Sequence, residues 1–285
     1  MLPVKICSLL MIVMISACSK VDNSPMTNEF GVPYRATRQV SYGGVEVGVV
    51  ISKSKENNVD VLMVYHGTSG SDSKILEAAN QTLDGFDRIL DRSDMMIVSV
   101  VYPEDNLLMG DNVVHAEAAL LWLKNHGEKE LGIKIGKIFL AGHSQGGYIV
   151  TRLNTMHATD GVIANAPGPL NMVFRCQLEE DGKIASGIHC TALKNKYGTT
   201  AQNPDAYFQR SLLNFTEGFK SDILFVQGMD DSPIQMYSWP VFRDKVKACN
   251  SCRGVEVFEI PGFGHPSLFE SADGKTVFND FILRH

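Results

Sequence analysis

The stretch Lys137-Ile-Phe-Leu-Ala-Gly-His-Ser-Gln-Gly-Gly147 decides the reading of this chain. Residues 137–141 read as a short buried strand, and Ile149, Leu153 and Met156 follow at helical spacing. Between them stands Gly142-His143-Ser144-Gln145-Gly146, which fits the G-x-S-x-G elbow. The spacing has a steric reason. Small residues two positions either side of Ser144 let strand and helix approach without side-chain clashes. The serine then sits at the tip of a strained turn. The N–H that follows, on Gln145, points toward whatever Ser144 attacks and is poised to bind an oxyanion.

Working outward, residues 45–52 alternate like a strand. Residues 61–65 are continuously apolar, as in a strand buried on both faces, and end in His66-Gly67-Thr68-Ser69-Gly70. A helix is expected next, capped near Ser71 or Asp72, with Ile75, Ala79, Leu83, Phe86 and Leu90 on one face. Residues 96–101 read as a strand, and Asp111 or Asn112 caps a helix carrying Val114, Ala118 and Leu121. Further strands are expected at 161–165, 223–227 and 255–260, with a closing helix at 275–283 that groups Val277, Phe278, Phe281 and Ile282. Alternating strands and helices predict an α/β fold: a mostly parallel sheet, right-handed crossovers and helices on both faces. Ligands bind beyond the carboxyl ends of such strands, where every candidate residue falls. The interval from Asn165 to Ile223 is too long for a simple crossover. Residues about 166–221, with Tyr197, Tyr207 and Phe208, read as a cap insertion.

A serine alone is a poor nucleophile and needs a base and an orienting acid. Gly228-Met229-Asp230-Asp231 follows one expected strand, and Pro261-Gly-Phe-Gly-His265-Pro266 follows another. The order Ser, Asp, His, together with the elbow, resembles the α/β-hydrolase superfamily from about residue 40 onward. The resemblance implies the α/β-hydrolase fold, with Ser144 as nucleophile, His265 as general base and then acid, and an Asp that holds the imidazole. In that family the acid often stands three residues after a strand-end Gly and before a Pro-containing turn. Gly228, Asp231 and Pro233 fit, so Asp231 is the expected acid and Asp230 the alternate. His66-Gly67-Thr68 resembles the family's oxyanion loop, which implies that the Thr68 N–H pairs with that of Gln145; Ser69 is the other candidate donor. His66 reads as a brace for that loop and His143 as a packing residue. His115 and His189 read as structural or exposed.

The chemistry implied is acyl transfer through an acyl-enzyme, with no cofactor or metal. Solitary relatives with this layout look like carboxylesterases or dienelactone-type hydrolases, so a small-molecule ester is the expected substrate. Tyr207-Phe-Gln-Arg-Ser211 is similar to the catalytic domains of prolyl-oligopeptidase-like enzymes, which keeps a peptidase or amidase open. A peptidase needs a peptide clamp such as an ammonium-binding carboxylate pair, for which Glu179, Glu180 and Asp181 are candidates. A non-catalytic surface binding protein on the same scaffold is the third reading.

Residues 1–17 read as a signal peptide: Lys5 gives the positive start, and the apolar core at 6–15 is shorter than the about 20 residues a bilayer span needs. Ile15-Ser16-Ala17-Cys18 resembles the bacterial lipoprotein cleavage box, which implies a lipid on Cys18 and anchoring to a bacterial membrane. Ser19, in place of Asp, resembles sorting to the outer membrane. The alternative is a plain secretory peptide cleaved near Ala17. Residues 18–40, with Pro25, Gly31 and Pro33, read as a tether to one domain at 41–285. The formal charge of −6 over 285 residues offers no basic patch, so nucleic acid is not an expected partner.

Of six cysteines, the lipoprotein resemblance implies that Cys7 leaves with the leader and that Cys18 carries the lipid. The remaining four suggest two disulfides in an exported protein. Proximity favours Cys176–Cys190 and Cys249–Cys252, although four cysteines allow three pairings. Cys249-Asn-Ser-Cys252 also fits C-x-x-C, but it follows the polar run 243–247 and precedes a strand, so it reads as structural. No further ligands stand at zinc spacing.

Overall fold

Eight strands form one sheet in the computed structural model, which describes residues 34–53, 55–103 and 108–285. The signal segment, the lipid-attachment Cys18 and the tether as far as residue 33 lie outside the described residues. Strand β1 (Tyr34–Tyr42) enters the sheet directly, so the segment read as tether to residue 40 is ordered backbone from Tyr34. Its residues alternate exposed and half-buried, with only Val40 buried. That is the pattern of an edge strand with one weakly apolar face.

Strand β1 pairs antiparallel with β2 (Val45–Lys53). Strand β3 (Asn58–Tyr65) is buried along almost its whole length. After it, Ser71 accepts a hydrogen bond from the Ser73 N–H and starts a short 3-10 turn that leads into helix α1 (Ile75–Ile89). Strand β4 (Met96–Val101) follows, then α2 (Val113–Trp122), a wide π turn at Leu123–Gly127, and α3 (Glu128–Leu131). The elbow joins β5 (Lys134–His143) to α4 (Gln145–Met156). Next come β6 (Gly161–Asn165) and three cap helices: α5 (Met172–Glu180), α6 (Ile188–Tyr197) and α7 (Pro204–Phe208). The chain closes with β7 (Ile223–Gly228), α8 (Pro233–Lys247), β8 (Val255–Ile260), α9 (Ser267–Glu270) and α10 (Ala272–Arg284).

The sheet order is β1-β2-β4-β3-β5-β6-β7-β8. Every pair from β4 to β8 runs parallel, while β2 meets β4 antiparallel. This is the α/β architecture expected from the alternation of apolar runs. Trp122, Tyr148, Trp239 and Phe242 fill one face of the sheet; Phe86, Phe139, Phe278 and Phe281 fill the other. The cap has its own small core of Leu108, Met172, Leu193, Ala206 and Tyr207 around the Cys176–Cys190 disulfide. Both expected disulfides are present. Helix α2 corrects the expected face. Val114 is exposed and Leu121 half-buried, whereas Val113, Ala116, Ala119 and Leu120 are buried with Ala118. The segment is apolar nearly all round, so its sequence carries no clear helical stripe to orient it.

Candidate active site

Ser144 sits between β5 and α4 with φ 57° and ψ −119°, a conformation that L residues rarely hold. Its surroundings impose it. A Cβ on Gly146 would lie 1.9 Å from the Tyr65 carbonyl oxygen, and one on Gly142 would lie 2.2 Å from the Gly146 carbonyl carbon. The turn is also pinned by hydrogen bonds: the Ser144 N–H donates to the Asn165 carbonyl at 2.9 Å, and the Ser144 carbonyl accepts from the Gly168 N–H at 3.1 Å. The elbow is therefore locked to the ends of β3 and β6.

His265 follows β8 and Asp231 follows β7, so neighbouring strands deliver them to the same end of the sheet. Their loops are stitched together. The Asp230 N–H donates to the Phe263 carbonyl at 2.9 Å, and a Cβ on Gly228 would lie 2.1 Å from the Gly264 carbonyl oxygen. Asp231 Oδ2 accepts from His265 Nδ1 at 2.7 Å and from Gln227 Nε2 at 3.0 Å, while Oδ1 accepts from the Ser232 N–H at 2.6 Å. The Asp231 side chain is 3% exposed, against 41% for His265. Burial opposes ionisation of Asp231, but hydrogen bonds from His265, Gln227 and Ser232 outweigh it and hold the carboxyl below its ordinary range. Asp230, one residue earlier, is exposed at the cavity wall.

The oxyanion candidates also meet. Thr68 Oγ1 donates to Gln145 Oε1 at 2.9 Å and lies 3.4 Å from His189 Nε2. No backbone carbonyl accepts from the Thr68 or the Gln145 N–H among the described residues. His66 braces the loop beneath: its ring is buried and stacked on Tyr102 at 4.0 Å, and the Tyr102 hydroxyl donates to the His66 carbonyl. His143 packs at 4.7 Å from the His265 ring, and its Nδ1 accepts from Asn165 Nδ2 at 2.9 Å. Burial, then the adjacent His265, push its pKa down to about 3, so the ring is neutral.

Ser144, His265, Asp231 and Thr68 line one cavity of about 410 Å³ under the cap. Sequence reading missed Arg175, His189 and Gln235 in this wall. His189, read as structural or exposed, is buried and lines the cavity. Gln235 Nε2 donates to Gln227 Oε1 at 3.1 Å and so supports the partner of Asp231. One signal was available: Arg175 and His189 each stand immediately before a cysteine of the cap disulfide. The acidic run proposed as a peptide clamp does not reach the cavity. Glu179 binds Arg175 Nε and the Gly187 N–H, Glu180 binds Thr200, and Asp181 pairs with Lys183. No group of three or more His, Cys, Asp or Glu is arranged to hold a metal among the described residues.

Residues 62–250 match a family model described as the alpha/beta hydrolase fold. A search of curated protein sequences gives no match. Among similar solved structures is an esterase from Pyrococcus furiosus, with a TM-score of 0.61 at 14% identity over 89% of this chain and 91% of that one. A truncated carbohydrate esterase from gut microbiota gives 0.63 at 15% identity, over 91% and 98% of the two chains. An acylaminoacyl peptidase from Pyrococcus horikoshii gives 0.59 at 13% identity; the match covers 88% of this chain but 41% of that longer one.

Proposed function

The chain belongs to the α/β-hydrolase fold family, and from that membership we propose that it is a serine hydrolase of carboxylic esters. The observation that carries the proposal is the 2.7 Å bond from His265 Nδ1 to Asp231 Oδ2, facing the same cavity as a strained Ser144. With Nδ1 bound to the carboxylate, Nε2 is the nitrogen left to act on Ser144. His265 takes the hydroxyl proton as Ser144 attacks the ester carbonyl. The N–H groups of Thr68 and Gln145 receive the developing negative charge, a term typically about 3–4 kcal/mol per donor. His265 gives the proton to the leaving alcohol, then activates water to release the acid from the acyl-enzyme. The esterases among the structural neighbours agree with this choice. Glu179, Glu180 and Asp181, the candidate clamp residues of the cap, do not line the cavity, which favours esters over peptides.

The test compares wild type with Ser144→Ala on 4-nitrophenyl esters of increasing acyl length, beside aminoacyl-nitroanilides. Ester turnover that the substitution abolishes is the expected result. Turnover of anilides alone would replace the esterase reading by a peptidase. A folded protein that takes no fluorophosphonate label and turns over neither substrate would sink the hydrolase mechanism.

The leader supports a second part of the proposal: Cys18 is lipidated and holds the enzyme at a bacterial outer membrane. Mass spectrometry of membrane-extracted protein should find an acylated N-terminal Cys18; a mature terminus elsewhere refutes it.

A further inference from the structure

The cap brings a cation, not an anion, to the cavity. Arg175 lies on α5 and lines the same space as Ser144 and His265. Its guanidinium is fixed from behind. Nε donates to Glu179 Oε1 at 3.2 Å, and Glu179 Oε2 is itself held by the Gly187 N–H at 2.7 Å. The Glu179 side chain is only 4% exposed, whereas that of Arg175 is 35% exposed. Only Nε is engaged among the described residues, so both Nη groups remain open.

Helix α5 is also held in place. Phe174 stacks on Tyr237 of α8 at 4.1 Å, and the next residue but one, Cys176, is bridged to Cys190. A guanidinium anchored through Nε by a buried carboxylate loses little freedom when its Nη edge takes a second carboxylate. Two parallel N–H···O bonds give that recognition both strength and direction. Two carboxylates share the wall with it: Asp231 is engaged by His265, and Asp230 is exposed on the loop after β7.

We infer that Arg175 is a specificity residue that selects esters carrying a second, free carboxylate, such as hemiesters of dicarboxylic acids. The inference rests on the ester-hydrolase reading and names its substrate class. A cavity of this volume is small-ligand size, so the anion sits only a few bonds from the carbonyl attacked by Ser144. The acid is bound away from the reacting atoms, so its contribution falls mainly on substrate binding.

The decisive experiment measures kcat and KM on the 4-nitrophenyl hemiester of adipic acid and on 4-nitrophenyl hexanoate. Wild type, Arg175→Gln and Arg175→Lys are compared, with fluorophosphonate titration counting folded active sites in each. A charge-assisted bidentate contact predicts that the anionic-to-neutral ratio of kcat/KM falls about tenfold or more in Arg175→Gln. The loss should lie in KM, and Arg175→Lys should retain part of the preference. Added salt should narrow the wild-type preference. An unchanged ratio, or a parallel loss of kcat on both esters, overturns the inference while leaving the hydrolase intact. Failure of wild type to cleave either ester or to take the label overturns both.

Discussion

Asp231 Oδ2 lies 2.7 Å from His265 Nδ1, although 34 residues separate them in the chain. The adjacent Asp230 is exposed. An orienting acid fixes the imidazole tautomer and stabilises the imidazolium that forms. Asp231→Asn should therefore lower kcat by about 10³–10⁴ with a small effect on KM. Asp230→Asn should change kcat by less than about tenfold, because it leaves that bond in place. Steady-state kinetics of the two variants, each normalised to active sites, checks the contrast.

The elbow cannot accept a methyl group at Gly146. A Cβ there would stand 1.9 Å from the Tyr65 carbonyl oxygen, and neither backbone segment is free to move: Tyr65 ends β3 inside the sheet, and Gly146 lies in the first turn of α4, which packs against it. Gly146→Ala should destabilise the fold by about 3 kcal/mol or more, the upper part of the range for overpacking. Chemical denaturation gives the number. Gly262→Ala is a useful contrast: nothing lies within 4 Å of its Cβ, so its cost arises from its φ of +75° alone.

Stability should fall as the pH drops from about 6.5 toward 3. His143 is held down to about 3 in the folded protein, mainly by burial and then by His265, whereas an unfolded histidine titrates near 6.5. Across that window the unfolded chain binds a proton that the folded chain refuses, so acid favours unfolding. Asp231 adds a loss of the same sign lower down. Its lowered pKa contributes stability above the ordinary carboxylate range, lost as pH falls through the folded value. Thermal melting against pH should show the decline, and His143→Phe should flatten its upper part.

The two disulfides should contribute unequally. Cys176 and Cys190 are buried and close a loop spanning 14 positions; Cys249 and Cys252 are only half-buried and span 3. Chain-entropy reasoning gives about 3 kcal/mol for the longer loop and about 2 for the shorter. The Cys176→Ser, Cys190→Ser double variant should lose more stability than its counterpart. It should also weaken discrimination in the cavity, since Arg175 and His189 are neighbours of the bridged cysteines. Differential scanning calorimetry and the paired-ester assay separate the two effects.

Some features were legible because they depend on near neighbours along the chain. The strands at 161–165 and 255–260 begin and end where the sequence places them. The G-x-S-x-G spacing dictated the turn at Ser144, because only glycine fits at Gly142 and Gly146 when strand and helix cross so closely. The cysteine spacing anticipated both bridges. Strand β1 was not legible, since an edge strand with one half-buried face leaves a weak apolar signature. Nor was the buried face of α2, whose segment is apolar on nearly every side.

The sequence by itself determined the alternation of strands and helices from β2 onward, the sharp turn at Ser144 and the residue types that follow each strand. Those are set by spacing over a few residues, where backbone sterics and side-chain periodicity act directly. Only the tertiary structure decided that Asp231 rather than Asp230 reaches His265, and that Arg175 and His189 line the cavity wall. The direction of a side chain beyond a strand end depends on how two loops are stitched together. The contents of the wall depend on how the cap docks on the sheet. Both are fixed by contacts between residues tens of positions apart, and spacing along the chain carries no record of them.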